Sequence, residues 1–396
     1  KQYDKEVDTS TATHNEEEDS IQSSANLALE YKYNKKFINE VSLSQTYIKR
    51  IYNAAPGSGN PTKDNYYGDR YNYGYRGIYN FDLDNSIIFG IEREDDQIGY
   101  NKDLTGKKVE SFYTTSTYFD YQKRFTENIF ATFGSRFDDN SVAGDEEAHR
   151  ATLAYLFDDK STKIKSSYGT GFRFPNIDDR IGGSGNAKFD LDTQKSDEIE
   201  AGLNFKNSLY NISLNTYLIE SRNELGYDSD SFVNININST RRHGVEIENS
   251  IKINEYIISK NNFTYSKAKF TSDEQGSYAT NFKDKDVPLV PHYSYSGMIE
   301  YSPNSSLKLI PSIEYRDDMR MESDDENFQN TKIPAIFLFN FDSKKNLKYF
   351  DLSFSIKNIF DEKYFSYAVA SSSTIGTYNA YPEPQREIYI GINKNF

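Results

Sequence analysis

Polar and apolar residues alternate with a period of two along most of this chain. From Phe350 to Lys357 every second residue is apolar, starting with Phe350, and the residues between them are polar. The closing segment, 386–396, places four apolar residues on one face: Ile388, Ile390, Ile392 and Phe396. Successive side chains of a β-strand point to opposite faces, so the pattern predicts strands with one apolar face. No segment shows a helical stripe over three turns.

The alternation predicts seventeen strands. Their spans are 24–34, 37–47, 70–80, 85–94, 112–124, 127–137, 147–157, 162–171, 195–206, 209–221, 240–253, 256–269, 291–303, 306–316, 332–342, 347–359 and 385–396. Several have the roughly 9–11 residues that a tilted strand needs to cross a bilayer. The segment 230–237 is also β-prone, and we predict a hairpin there within a loop. A closing strand pair with one apolar face is expected where a barrel meets lipid.

Short and long connections alternate between these strands. The long ones cover 48–69, 95–111, 138–146, 172–194, 222–239, 270–290, 317–331 and 360–384. Outer-membrane barrels have this arrangement, with short periplasmic turns and long extracellular loops. If Phe396 lies on the periplasmic side, counting back puts residues 1–23 outside the cell and makes the strand number odd. An odd number of strands cannot close an all-antiparallel barrel, so we expect that the natural beginning of the protein is missing.

The composition fits a sheet that faces lipid on one side and water on the other. Apolar residues make up only 36% of the 396 residues, yet aromatic residues reach 15%, with 33 Tyr and 27 Phe. A disordered acidic chain would be poor in aromatic residues, and Tyr suits a membrane interface. The net charge of −14 argues against nucleic acid as a partner. The chain has no Cys, which excludes disulfides and thiolate chemistry.

Four motifs follow one another between residues 168 and 396. They are Tyr168–Asn176 with Lys195–Leu203, Arg241–Glu246, Val287–His292, and Lys357–Tyr364 with Gln385–Tyr389. Together they resemble motifs of TonB-dependent outer-membrane receptors. The family pattern has Ala where Phe174 stands, and Leu-x-Pro-Glu is commoner where Asp190-Leu191-Asp192 stands. Upstream, Gly134–Asp139 resembles the family's Gly-x-Arg-x-Asp strand end.

The resemblance implies an all-β fold, an antiparallel transmembrane β-barrel of about 22 strands. About seventeen of those strands are visible, so residues 1–396 are expected to be one partial barrel domain that lacks the plug and the first strands. The implied function is active uptake across the bacterial outer membrane of a scarce, bulky nutrient, either cobalamin or a ferric siderophore. The implied partners are membrane lipid, the ligand, the TonB complex (through the plug) and the barrel assembly machinery.

The resemblance also suggests roles for particular residues. Five tyrosines of the predicted long loops are candidates for stacking on a large planar ligand: Tyr52, Tyr66, Tyr67, Tyr378 and Tyr381. Arg173 and Glu198 are candidates for contact with the plug, the alternative being that they line a wet lumen. The terminal Phe396 resembles the residue that the barrel assembly machinery reads in this family.

Metal binding and catalysis have less support. The acidic run Glu16–Asp19 is a candidate for Ca²⁺, which prefers oxygen ligands, and a solvated loop is the alternative. The four histidines are scattered, which argues against a shared metal site. No nucleophile–base pair appears, so we predict no enzyme activity and no further cofactor. Two other functions stay open: a passive porin-like channel or structural barrel without a plug, and an outer-membrane protease or lipase with a catalytic constellation still to be found.

Overall fold

The computed structural model of this protein describes residues 2–6, 14–53, 63–102, 106–176, 179–180, 190–228, 233–237, 239–272, 282–371 and 373–394. The chain divides into two compact units. Unit 1 comprises Lys1–Arg124 and Thr132–Arg150, and unit 2 comprises Phe125–Ala131 and Ala151–Phe396. Within the described ranges, no helix is long and apolar enough to cross a membrane.

Unit 1 is a sheet of long antiparallel strands. The first six are β1 (Gln2–Glu6), β2 (His14–Lys32), β3 (Phe37–Asn53), β4 (Lys63–Asn80), β5 (Ser86–Lys102) and β6 (Gly106–Arg124). Each of them pairs antiparallel with the next. They are followed in the chain by β7 (Ile129–Asn140) and β8 (Gly144–Leu156).

Unit 2 continues the antiparallel pattern and adds two hairpins. Its strands are β9 (Thr162–Arg173), β10 (Gln194–Lys206), β11 (Tyr210–Arg222), β12 (Glu224–Asp228), β13 (Val233–Ile237), β14 (Thr240–Lys252), β15 (Ile257–Phe270), β16 (Tyr293–Asn304), β17 (Leu307–Arg316), β18 (Ile336–Asn346), β19 (Asp351–Lys357), β20 (Phe365–Ala370), β21 (Tyr378–Pro382) and β22 (Glu387–Asn393). The main ladder runs from β9 through β10, β11, β14–β19 and β22. The hairpins β12–β13 and β20–β21 each form a separate two-stranded sheet.

The structure confirms all seventeen predicted strands, each of which overlaps an observed one. The predicted apolar face of the closing pair is also confirmed. In the β19–β22 ladder, Leu352 lies opposite Ile392 and Phe354 lies opposite Ile390. The hairpin predicted near 230–237 is β12–β13. Phe396 lies outside the described residues.

The predicted strand ends are wrong in unit 1. The expected loop 48–69 is mostly strand, because β3 runs to Asn53 and β4 begins at Lys63. The expected loop 95–111 is mostly the end of β5 and the start of β6. The acidic run expected in a loop lies in β2. These extensions mix polar residues with apolar ones such as Ile48, Ile51 and Ile98 in no alternating order, so the period-two signal disappears there although the backbone ladder continues.

The two faces of the unit 1 sheet differ sharply in polarity. Cross-strand neighbours on one face are Leu29, Val41, Tyr75 and Ile91, of which Leu29, Val41 and Ile91 are 63%, 47% and 49% exposed. We call this the apolar face. The row one residue along, on the opposite face, runs Ala28, Ser42, Gly74, Glu92 and Ser116. An exposed apolar face that continues over neighbouring strands is the surface that a lipid environment would cover.

The main buried cluster of unit 2 lies in the connections and not between sheets. It consists of Met319, Met321, Ile333, Ala368 and Ala370, with Leu289 and Phe365 packed against it. These residues come from three connecting segments, 271–292, 317–335 and 358–386. The long connections of unit 2 therefore form a packed structure with its own core.

Candidate functional site

Backbone pairing ties two of these connections together. Met319 and Ile333 exchange two backbone hydrogen bonds, of 3.1 and 2.9 Å, and so close the segment 317–335 into a loop with paired ends. The Glu322 amide donates to the carbonyl of Ala368 at 3.0 Å, and the Ala370 amide donates to the carbonyl of Glu322 at 2.9 Å. These bonds dock strand β20 onto the 317–335 segment.

Buried polar side chains complete this assembly. The Asp324 carboxylate is fully buried and accepts hydrogen bonds from the Arg320 guanidinium at 3.2 Å and the Gln329 amide at 2.9 Å. The side chain of Gln329 donates to the carbonyls of Ser371 and Thr374 at 2.6 and 3.0 Å. We call this assembly of 282–292, 317–335 and 358–386 the loop cover.

A pocket of about 610 Å³ lies where the loop cover meets the ladder of unit 2. Two cross-strand rows on the same face of β15–β18 form its wall. One row is Thr264, Ser294, Arg316 and Ile336, and the other is Asn262, Ser296, Glu314 and Leu338. Tyr364, Ser366 and Glu383 of the loop cover form its rim.

Two carboxylates and one guanidinium set the electrostatics of this pocket. Glu314 accepts a hydrogen bond from Asn340 at 2.9 Å, and Glu383 accepts one from the Ser366 hydroxyl. Within the described part of the chain, the hydrogen bonds of Arg316 are long, 3.4 and 3.5 Å to the carbonyls of Ser366 and Phe365. Its buried Nε has no hydrogen-bond partner among the described residues.

The rim of the pocket lies in a negative field. Burial and the neighbouring carboxylates Glu383, Glu314 and Glu387 raise the pKa of the Tyr364 hydroxyl, while Arg316 acts in the opposite direction. The Tyr364 phenol is therefore a neutral hydrogen-bond donor at physiological pH.

A second group of connections is organised around Arg173. Its guanidinium donates to the Asp179 carboxylate at 2.9 and 2.7 Å, and the Asn234 side chain donates to the backbone carbonyl of Asp179 at 2.9 Å. In the β9–β10 register Glu198 lies opposite Gly169, so Arg173 and Glu198 share one face of the sheet. Their contact with a plug stays a prediction.

The β12–β13 hairpin is anchored by a buried ion pair. The Glu224 carboxylate accepts hydrogen bonds from the guanidinium of Arg242 and from the hydroxyl of Thr240. The side chain of Glu224 is 15% exposed and that of Arg242 is 29% exposed. Burial raises the pKa of Glu224, but the bonds from Arg242 and Thr240 outweigh it, so the pKa is lowered. This pair holds the hairpin against strand β14.

The five predicted ligand-stacking tyrosines fall in different elements. Tyr378 and Tyr381 lie on β21, where the Tyr381 ring lies 5.2 Å from that of Tyr367. Tyr52 lies on β3, and Tyr66 and Tyr67 lie on β4, which corrects their expected place in a loop. As neighbours on one strand, Tyr66 and Tyr67 point to opposite faces. Their role in ligand binding stays a prediction.

Ca²⁺ binding by the acidic run Glu16–Asp19 stays a prediction. Glu18, within the acidic run, ion-pairs with Arg50 at 2.9 Å. The described part of the chain contains no group of three or more His, Asp or Glu side chains placed to hold a metal ion.

The pocket residues were missed at the level of sequence. Arg316 and Glu314 occupy ordinary polar positions of an alternating strand, while Ser366 and Glu383 fall in an expected loop. The available signal was the shared face of neighbouring strands, but it needs the register and the docking of the loop cover before a pocket can be recognised.

Comparison with known proteins gives the family. The model of the "TonB dependent receptor-like, beta-barrel" family matches residues 2–359. The chain therefore belongs to this family of β-barrel transport receptors, and its fold is that of an all-β, antiparallel transmembrane barrel protein. No curated protein matches the sequence.

Solved structures show the same fold at low identity. The ferric-catecholate import receptor Fiu of E. coli K12 has a TM-score of 0.76 at 14% identity, over 98% of this chain and 65% of Fiu. The ferric yersiniabactin uptake receptor FyuA of Yersinia pestis has 0.76 at 14%, over 98% and 63%. The copper transporter OprC has 0.81 at 13%, over 97% and 66%. The chain thus spans slightly less than two thirds of the length of these structures.

Proposed function

We propose that this chain is the wall and loop portion of an outer-membrane receptor that imports a scarce, bulky nutrient with energy supplied through TonB. Cobalamin and a ferric siderophore are the two candidate cargoes. The similar structures include iron-chelate and copper transporters, which supports a small-molecule cargo of this kind. The bacterial outer membrane is the proposed location, with membrane lipid and the barrel assembly machinery as partners.

The observation that carries this proposal is the loop cover next to a polar wall. A passive channel works best with an open lumen and has no need of connections with their own buried core. In unit 2 the connections instead pack around Met321 and Ile333, which are both fully buried, and rim a pocket of about 610 Å³. Such a pocket has the volume of a small-molecule site. The family is one of transport receptors, and we propose no enzyme activity.

Energy-dependent uptake tests this function. Cells that express the complete receptor should accumulate radiolabelled cyanocobalamin or a radio-iron chelate. Accumulation should fall to background when TonB is deleted or when a protonophore collapses the proton-motive force. Uptake that continues unchanged under both treatments would identify a passive channel instead.

A further inference from the structure

The pocket between the loop cover and β15–β18 offers both hydrogen-bond donors and hydrogen-bond acceptors, and Glu314 and Arg316 lie on the same face of β17. The acceptors include the carboxylates of Glu314 and Glu383. The donors include the Arg316 guanidinium, whose Nε is buried without a partner among the described residues. Small hydroxyl side chains supply both functions: Thr264, Ser294, Ser296 and Ser366. A ligand that satisfies this wall needs groups that both donate and accept.

Charge excludes the simplest ligands. The ionised groups that line the pocket are Glu314, Glu383 and Arg316, which sum to one net negative charge. At the rim, burial and then the carboxylates of Glu383, Glu314 and Glu387 raise the pKa of Tyr364, while Arg316 lowers it. An anionic catecholate or carboxylate chelate would be repelled by both glutamates. A cation would meet the guanidinium of Arg316 and would leave its Nε without an acceptor.

A neutral hydroxyl group resolves this conflict. Each hydroxyl donates one hydrogen bond and accepts two, so adjacent hydroxyls can donate to a glutamate and accept from Arg316 at once. The wall also carries two buried apolar side chains, Ile336 and Leu338, which are 7% and 8% exposed. With the Tyr364 ring at the rim, they give the C–H faces of a sugar ring an apolar surface to lie on.

We propose that this pocket binds a neutral, hydroxyl-rich portion of the transported molecule, of the carbohydrate class. The proposal rests on the proposed transport function and deepens it, because it assigns a chemical class to the part of the cargo that the wall of unit 2 recognises. Anionic ferric chelates are then poor ligands for this receptor.

Binding to the purified complete receptor in detergent micelles tests the proposal. The probes are a panel of neutral di- to hexasaccharides of glucose, galactose, mannose and xylose, and ferric enterobactin as the anionic chelate. We expect saturable binding of at least one saccharide by titration calorimetry, and weaker binding of ferric enterobactin. In that receptor Glu383→Gln should weaken saccharide binding about tenfold, because the bond to a charged acceptor is lost.

Two further variants separate recognition from folding. Glu300→Gln removes one carboxylate from the same face of β16, where Glu300 pairs with Lys308 at 2.5 Å outside the pocket, and should change saccharide affinity less than twofold. Ser294→Leu fills the pocket and should abolish binding while the melting temperature stays close to that of the wild type.

Three outcomes contradict the proposal. They are no saturable binding of any saccharide in the panel, equal losses in Glu383→Gln and Glu300→Gln, and tighter binding of ferric enterobactin than of every saccharide. A different result would contradict the transport function. Energy-dependent uptake of an anionic chelate would contradict carbohydrate binding by the pocket but leave the transport function intact. Saccharide binding together with uptake that does not depend on TonB or the proton-motive force would contradict TonB-dependent transport but leave carbohydrate binding intact.

Discussion

Two glutamate–arginine pairs of neighbouring strands show how burial decides the value of a single contact. Glu224 and Arg242 are largely buried, whereas Glu220 and Arg241 are 50% and 54% exposed. Water screens the exposed pair, so it contributes little to stability. Removal of one partner of the buried pair strongly lowers stability, because the remaining charge stays out of water without a compensating charge.

Replacing each glutamate in turn tests this difference. Glu224→Gln should destabilise the β12–β13 hairpin by about 3 kcal/mol, since Arg242 loses its ionised partner. Glu220→Gln, the matched control, should cost less than about 1 kcal/mol. Hydrogen exchange of the amides in 224–237 measures the local opening free energy. Equal effects of the two substitutions would contradict the account.

Asp159, in the turn between β8 and β9, supplies a pH-dependent contact. Its carboxylate accepts the amides of Ser161 and Thr162 at 2.9 and 3.0 Å, and these bonds lower its pKa from 3.8 to about 2. A lowered folded-state pKa stabilises the protein above the unfolded pKa, and this stabilisation is lost as the pH falls through the folded value. Asp159→Ala should therefore be less stable than the wild type at neutral pH in urea unfolding. The difference should shrink between about pH 4 and about pH 2, whereas a difference independent of pH would exclude this role.

At the scale of elements, the loop cover is a packed unit whose stability is local. Met321 is fully buried within it, among Met319, Ile333 and Ala368. The removal of a buried methionine side chain leaves a cavity that neighbouring residues fill only in part. Because the cover is built from connections, its loss need not unfold the ladder of β15–β18.

Met321→Ala should accordingly open the loop cover without unfolding the strands. We expect a loss of about 2–4 kcal/mol in local stability, visible as faster proteolysis within 317–335. Met298→Ala is the matched control, because Met298 is 40% exposed on β16 and its truncation leaves no buried cavity. If the control is cleaved as fast as Met321→Ala, the cover does not depend on this core.

The strands were predictable from the sequence and their outer ends were not, for a physical reason. On β4 the apolar face runs from Tyr71 to Tyr79, while Lys63–Arg70 continues the strand with charged residues and tyrosines in no alternating order. At roughly 3.3 Å per residue, those eight residues extend about 26 Å beyond the apolar band. Backbone hydrogen bonds between neighbouring strands form this extension, and the side-chain pattern does not predict it.

The pocket was beyond prediction for a different reason. Its rim residues Tyr364 and Glu383 are separated from its wall residue Asn262 by 102 and 121 positions in sequence. Only the register of four strands and the docking of β20 bring them together. The resemblance in motifs identified the family, and the family model confirms it over residues 2–359.

At the scale of the whole molecule, the composition follows from what each face of a strand meets. Only 36% of the residues are apolar, because the alternating strands have a polar face and the connections and strand extensions add many more polar residues. Apolar residues of the unit 1 strands are exposed together on one face, as Leu27 (53%) and Leu43 (44%) are. We therefore expect this face to meet lipid.

Spin-label accessibility at adjacent residues tests that claim most directly. The chain has no Cys, so single cysteines label cleanly. In the receptor reconstituted in liposomes, a label at Leu43, on the apolar face, should collide with oxygen dissolved in the bilayer. A label at Ser42, on the polar face, should not. The two labels should reverse their order toward a water-soluble nickel reagent, and equal accessibility at both positions would contradict the account.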